Sequence, residues 1–397
     1  MNTSAPPWTS LARYVAAAAL ARMADGGAVV AIVLLVTLHG DGGSLAGLLG
    51  ACLTAPHMLG PFVARRIDLA DDGRKVIATA CVLYALALAV AVASYGQIPV
   101  VLTALLLATA GLCGPLLTGG ISTRLPAIAG CEQRTLRRAQ GWDIATYGIG
   151  NTLGASTVAA VSAWTSPAYA GLSLAFATLL AAGLVMLLPY SAPEHGGNPQ
   201  AVPGAWRTIG VMVQDGRLRR TLYMTCLVAF SMAALPITAV QMTRMLGIPL
   251  ASAAVMTAAY GIGNLTGSVG LMLRPLRGSP DKLMTMLALG AACGLFAIVM
   301  SPDWMVAVGL FWLSGTVNAF FFAATLAART EYAPPMARGQ IFLWVAAMKI
   351  TSSSAGTAVA GMLIGQDARL PLIAGMVLMT TAVLLSTLER GLSRQAA

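Results

Sequence analysis

Twelve apolar stretches, each long enough to cross a bilayer, fill most of this 397-residue chain. A helix rises about 1.5 Å per residue, so roughly 20 apolar residues match a hydrocarbon core about 30 Å thick. The spans read near 12–37, 45–64, 76–95, 98–121, 140–163, 168–189, 221–243, 252–273, 283–300, 305–328, 340–364 and 370–388. With no water at that depth to bond the backbone, such segments fold as helices. The predicted class is all-α, a polytopic membrane protein with 12 transmembrane helices.

Charge orients the spans. With the N-terminus in the cytoplasm, 20 of the 24 basic residues fall on cytoplasmic loops or ends. Arg244 and Arg369 face outside, and Arg22 and Lys349 lie within spans. A wrong span count would scatter this positive-inside bias, so both termini are expected in the cytoplasm. The net charge of +10 then reflects orientation, and no nucleic-acid partner is called for. Only 10% of residues are charged, against about 25% in soluble domains. The first span is long, contains Arg22 and Asp25 and lacks a small-residue cleavage site, so it reads as a span and not a cleaved signal. The six cysteines have neither metal-ligand spacing nor extracellular placement, so no metal, cofactor or disulfide framework is expected. Arginine outnumbers lysine 21 to 3 and alanine is abundant, as in GC-rich bacterial genomes. A bacterial inner membrane is the expected home.

The spans divide six and six. Residues 1–190 form one expected bundle, 191–220 a cytoplasmic linker, and 221–397 a second bundle. The linker opens with Ser191-Ala-Pro-Glu-His-Gly-Gly-Asn-Pro and continues into Trp206–Asp215, which reads as a short amphipathic helix. A local echo links the halves: Tyr147-Gly-Ile-Gly-Asn-Thr-Leu-Gly154 in span 5 and Tyr260-Gly-Ile-Gly-Asn-Leu-Thr-Gly267 in span 8. Each holds a small-xxx-small pair, Gly150/Gly154 and Gly263/Gly267, that lets helix backbones approach closely. Two readings stand, a seam between the bundles or ordinary tight packing within them.

The 6+6 layout, the cytoplasmic ends and the loop after span 2 resemble the major facilitator superfamily. That loop reads Gly60-Pro-Phe-Val-Ala-Arg-Arg-Ile-Asp68-Leu-Ala-Asp71-Asp72-Gly73-Arg74-Lys75 and is similar to the family's charged latch between helices. The resemblance assigns the latch to Asp71, Asp72 and Arg74 in a loop several residues longer than the family pattern. Arg329-Thr-Glu-Tyr-Ala-Pro-Pro-Met-Ala-Arg-Gly-Gln340 resembles the loop before span 11 of bacterial efflux-type members. The exporters' Gly-Pro signature in span 5 is incomplete here, since Ala155 stands after Gly154 in place of proline. The resemblance implies two bundles that rock about a central cavity, a small-molecule substrate, often protons, and a monomer. It also places spans 3, 6, 9 and 12 at the periphery, and these carry no ionisable residue within the membrane.

Ionisable groups at bilayer depth cost about 2.5–3.5 kcal/mol each on insertion scales and mark pathways or buried pairs. Here they are Arg22 and Asp25 in span 1, His57 in span 2, Asp143 in span 5 and Lys349 in span 11. Arg22 and Asp25 share a helix face, being three apart. Asp25 reads either as the proton-coupling carboxylate, as the partner in a permanent Arg22–Asp25 ion pair, or as a substrate contact. His57, between Pro56 and Pro61, reads as a proton relay or a packing histidine. Asp143 reads as a helix cap or a partner of Arg137 or Arg138, with a proton-coupling role as the alternative. Lys349 has no partner on its own helix and reads as a cross-helix partner or an anion-binding group. Asn151, Asn264 and Asn318 are cavity candidates or interhelical glue, and Trp312 and Trp344 candidate apolar binding walls.

No phosphate loop, nucleophile–base set or metal cluster appears, so neither an enzyme nor an ATP-driven pump is expected. The best reading is a secondary active transporter exporting small amphipathic molecules against protons. An importer of an anionic metabolite is the alternative, and a non-transporting membrane partner protein is the reading of another class.

Overall fold

The computed structural model describes residues 7–41, 43–130, 132–191, 202–249, 252–364, 366–367 and 369–395, and the regular structure among them is helical throughout. The helices are α1 (Pro7–Leu38), α2 (Gly43–Thr54), α3 (Gly60–Leu69), α4 (Gly73–Ala93), α5 (Val100–Pro115), α6 (Leu125–Ala129), α7 (Gln133–Trp164) and α8 (Pro167–Met186). They continue as α9 (Ala205–Gln214), α10 (Gly216–Met232), α11 (Leu235–Met245), α12 (Ser252–Leu273), α13 (Pro280–Val299), α14 (Trp304–Tyr332), α15 (Arg338–Leu363) and α16 (Leu370–Gln395). Nine stretches among the described residues are long and apolar enough to cross a membrane. The three expected spans outside that set are α7, α12 and α15, whose glycines, serines and threonines dilute their apolar character.

Local chemistry sets the boundaries. Asp72, Ser166, Asp215 and Asp303 precede α4, α8, α10 and α14 in extended backbone, and each accepts a backbone N–H of the first turn. Proline breaks three spans. Pro56 converts the middle of span 2 into a 3₁₀ turn, Ala55–Leu59, between α2 and α3. Pro115 is followed by a single π turn, Leu116–Gly120, and Pro236 stands at the start of α11 after the break from α10. Several helices outrun their expected spans: α7 starts at Gln133 and not near 140, and α16 runs to Gln395 and not to 388. A helix need not stop where hydrocarbon does, because its charged turns continue into water. The amphipathic linker helix is α9, while residues 192–201 of the expected linker lie outside the described residues.

Two compact units emerge. The first comprises Met1–Ala139, Thr146–Thr208 and Pro334–Ala347, and in it α1 and α4 both lie against α8, with α2 against α5. The second comprises Gln140–Ala145, Ile209–Ala333 and Met348–Ala397, and is built around α12 on α14 and α13 between α14 and α16. The helices of spans 3, 6, 9 and 12 leave large apolar side chains uncovered, among them Leu86, Phe176, Met286 and Leu384, as lipid-facing helices must.

Glycines set the closest helix approaches. A Cβ built at Gly150 would lie 2.6 Å from the Arg22 Cβ, and one at Gly154 would lie 2.7 Å from the Gly27 backbone nitrogen, so α7 lies directly on α1. In the second unit a Cβ at Gly263 would run into the Trp312 carbonyl, and one at Gly267 would lie 2.9 Å from the Thr316 carbonyl oxygen, so α12 lies directly on α14. Gly111 meets the Leu53 carbonyl between α5 and α2, and Gly356 meets the Phe230 carbonyl between α15 and α10. Both glycine pairs of the sequence echo therefore meet a helix of their own unit, and the expectation of a seam between bundles gives way to tight packing within each. All four contacts set a glycine against neighbouring backbone, the small-residue packing that substitutes for a hydrophobic drive inside a membrane.

An ion cluster ties the first turns of α10 and α13 to the C-terminal part of α16 in the second unit. Arg220 donates through Nε to Asp281 at 2.9 Å and approaches Glu389 at 3.3 Å, while Arg219 also pairs with Glu389. Arg390 lies 3.9 Å from Asp281 and donates to Thr285 at 2.8 Å. Asp281 thus serves two arginines, and Asp281→Ala leaves a largely buried Arg220 short of its carboxylate. Breaking a buried pair from one side costs about 3–5 kcal/mol. The variant is expected to aggregate on heating in detergent well below wild type, by fluorescence-detected size exclusion, with Arg219→Gln close to wild type.

Candidate functional site

Asp25 and His57 meet inside the first unit. The His57 Nε2 lies 3.3 Å from an Asp25 carboxylate oxygen, and both side chains are largely shielded. On its other side the His57 Nδ1 lies 3.1 Å from the Leu53 carbonyl oxygen. A carbonyl only accepts, so Nδ1 carries the hydrogen of that bond. The bare Nε2 of a neutral imidazole would then face an ionised carboxylate lone pair to lone pair. One further proton, on either Nε2 or the carboxylate, turns the contact into a hydrogen bond. Sequence alone left His57 between relay and packing and named only Arg22 as a partner for Asp25. The 3₁₀ turn after Pro56 aims His57 at α1.

The surroundings fit closely. A Cβ at Gly114 would collide with the His57 ring and lie 3.0 Å from the Asp25 carboxylate, so only glycine lets α5 come so near. Tyr84 is fully buried and donates from its hydroxyl to the Ala24 carbonyl at 3.3 Å.

Arg22, three residues before Asp25, takes a different course. Its Nη2 donates to the Thr118 carbonyl and to the Ser122 hydroxyl, both at 2.9 Å, and its Nη1 donates to Thr146. The guanidinium also stacks on Tyr147, 3.5 Å from the ring centroid. The π turn after Pro115 presents the Thr118 carbonyl to it. Arg22 thus joins α1 to the π turn after α5 and to α7, and of the three readings of Asp25 the ion pair with Arg22 is not formed, its neighbour being His57.

In the second unit Lys349 rests on Phe322. Its Nζ lies 3.9 Å from the ring centroid, and the Arg329 guanidinium carbon lies 6.0 Å from the same centroid. Two cations share one aromatic ring, and Lys349 has no carboxylate partner among the described residues. Asn264 and Asn318 prove to be interhelical glue: Asn318 donates to Asn264 at 2.9 Å, and Asn264 donates to the Tyr260 carbonyl at 3.1 Å. Trp312 is part exposed on α14, its carbonyl against Gly263. Asp143 is fully buried well inside α7, whose N-cap is Glu132, so it does not cap that helix. The Asn151 side chain lies outside the described residues.

The latch forms with a different aspartate. Asp68, at the end of α3, accepts the backbone N–H groups of Gly339 and Gln340 at 2.9 Å each, binding the unsatisfied first turn of α15. Asp72 turns inward to its own loop, capping α4 and pairing with Arg74 at 2.8 Å, and that hydrogen bond holds its carboxyl below the usual carboxylate range. Arg74 goes on to the Leu188 carbonyl at 2.6 Å, while Asp71 stays exposed. The readable signal for Asp68 was an acidic residue ending one helix beside an uncapped helix start. Gln340 extends the joint, donating to the Pro203 carbonyl at 2.9 Å and accepting from Thr208 of α9 at 3.1 Å. Trp344, expected to wall a binding site, packs instead with Phe62 and with Trp206 of α9, ring centroids 5.9 and 6.4 Å away.

These helices and their glycine-set packing define a multi-pass membrane protein with the major facilitator fold. The Escherichia coli fucose:proton symporter FucP superposes with a TM-score of 0.72 at 14% identity, over 95% of this chain and 98% of that one. The human organic anion transporter MFSD10 (TETRAN) does so with a TM-score of 0.74 at 15% identity, over 96% and 100%. A bacterial homologue of the iron transporter ferroportin gives a TM-score of 0.75 at 13% identity, over 96% and 99%. No family model and no curated protein matches the chain.

Proposed function

We propose that this protein is a proton-coupled secondary transporter, working by alternating access in a bacterial inner membrane with both termini cytoplasmic, and exporting small amphipathic molecules as a monomer. The observation that carries the proposal is the Asp25–His57 contact, which becomes a hydrogen bond only when the pair holds one more proton. Loading and release of that proton on opposite sides of the membrane supplies the driving force. FucP, a fucose:proton symporter with this fold, lends weight to proton use and none to direction. An enzymatic role is not part of the reading, because FucP and MFSD10, which share the fold, are transporters and the sequence offers no nucleophile–base set.

A second reading rests on a separate observation. Lys349 and Arg329 share the Phe322 ring, which suits an anionic substrate with an apolar body. In this reading the alternative of an anionic metabolite, taken up or released, replaces the small amphipathic molecule.

The test is reconstitution into liposomes with a pH-sensitive dye inside and a pH gradient imposed. Lipophilic cations, zwitterions and organic anions are presented in turn. Substrate-dependent proton flux is the expected result, and the charge of the active compounds chooses between the two readings. Substrate flux that ignores the pH gradient would remove proton coupling, and silence across the panel would favour a non-transporting partner protein.

A further inference from the structure

The N-terminal turns of α1 and α7, together with α6, line an open cavity of about 400 Å³ that the transport reading does not use. Its apolar wall is formed by Trp8, Leu11, Ile128 and Ala139, and its polar rim by Arg134 and Arg138. All of these belong to the first unit. Arg134 and Arg138 stand one helical turn apart on α7 and so present their guanidinium groups on one face. Neither has a hydrogen-bond or ion-pair partner among the described residues, and the Arg138 Nε is buried without one. Glu132, also on the rim, is engaged, since its carboxylate accepts the Thr135 hydroxyl at 2.6 Å. It offers no side-chain cap to the first turn of α7.

We propose that this cavity binds the phosphate headgroup of an anionic phospholipid of the cytoplasmic leaflet. Paired guanidinium groups match the oxygens of a phosphodiester, and a buried guanidinium nitrogen without a partner is a site awaiting an acceptor. The apolar wall selects a lipid over a free phosphate: Leu11 and Ile128 offer nothing to an inorganic ion, but they suit the glycerol and first acyl carbons. Trp8, two-thirds exposed at the start of α1, stands where interfacial tryptophans anchor a protein at headgroup depth. Basic pockets on the cytoplasmic side are the recurring form of such sites.

The test uses the full chain, purified in detergent and stripped of lipid. Phosphatidylglycerol, phosphatidylethanolamine and inorganic phosphate are titrated in separate arms, with bound adducts counted by native mass spectrometry. Retained phosphatidylglycerol adducts are expected, with phosphatidylethanolamine binding far weaker. The Arg134→Gln/Arg138→Gln double variant is expected to weaken phosphatidylglycerol binding at least about tenfold. Arg65→Gln/Arg66→Gln, which removes the same charge from another cytoplasmic segment, is expected to leave it unchanged. Should the first double variant elute as aggregate, Trp8→Ala, an exposed-site change, carries the test, with a several-fold loss of phosphatidylglycerol expected. Equal losses in both double variants, equal binding of the two lipids, or occupancy by inorganic phosphate alone would each overturn the proposal.

Discussion

Asp25→Asn is expected to abolish uphill transport, cutting substrate-driven proton flux in proteoliposomes at least tenfold, while downhill exchange of the same substrate persists. The argument rests on the proton that the Asp25–His57 contact needs. An amide can donate permanently to the His57 Nε2, so the variant satisfies the contact with no titratable proton. The pair is then fixed in the equivalent of its loaded state, and the two sides of the membrane no longer differ in what they ask of it. His57→Gln should behave less severely, because Asp25 keeps its carboxylate and loses only the partner that positions it. Gly114→Ala is the geometric control. It leaves both groups in place but drives a methyl group into the imidazole, so coupling should weaken without loss of either titratable side chain. If Asp25→Asn instead lowers folded yield and leaves coupling per molecule intact, Asp25 is a structural residue and the proton pathway lies elsewhere.

The membrane class was legible because it is written in long-range patterning that each residue contributes to independently. Apolar stretches and alternating basic loops survive any error of a few residues at a boundary. Partner choice was not legible, because it depends on helix rotation and on breaks whose angle no pattern encodes. His57 was seen to stand between Pro56 and Pro61, yet only the 3₁₀ turn there shows that its ring swings onto Asp25. The π turn behind Pro115 turns the Thr118 carbonyl to Arg22, drawing that arginine away from Asp25. The latch failed for a different reason. Loop residues Asp71 and Asp72 looked more available than Asp68, but an anion at the end of α3 is the one placed to meet the N–H groups opening α15. Asn264 and Asn318 show the converse. Both were recognised as membrane-buried amides, and their pairing into a bond between α12 and α14 is what small-residue packing of those two helices brings about.

The glycine echo yields the second large effect. Gly154→Leu and Gly263→Leu are each expected to remove folded protein almost completely, measured as monodisperse yield after detergent extraction. At Gly263 the first carbon of any side chain falls on the Trp312 carbonyl, and at Gly154 it falls on the Met23 carbonyl and 2.7 Å from the Gly27 nitrogen. Backbone cannot rotate away as a side chain can, so relief requires two helices to separate along their length. Overpacking against side chains alone costs about 1–3 kcal/mol, and displacing backbone exceeds that range. The same motif contains its own control. Gly261, two residues before Gly263 on α12, has open space where a Cβ would stand, so Gly261→Leu should fold and transport normally. A seam that opened and closed between bundles would give the opposite pattern at Gly263, with normal yield and blocked transport. The separation between Gly261 and Gly263 in yield, rather than in flux, is therefore what distinguishes static helix packing from a moving joint.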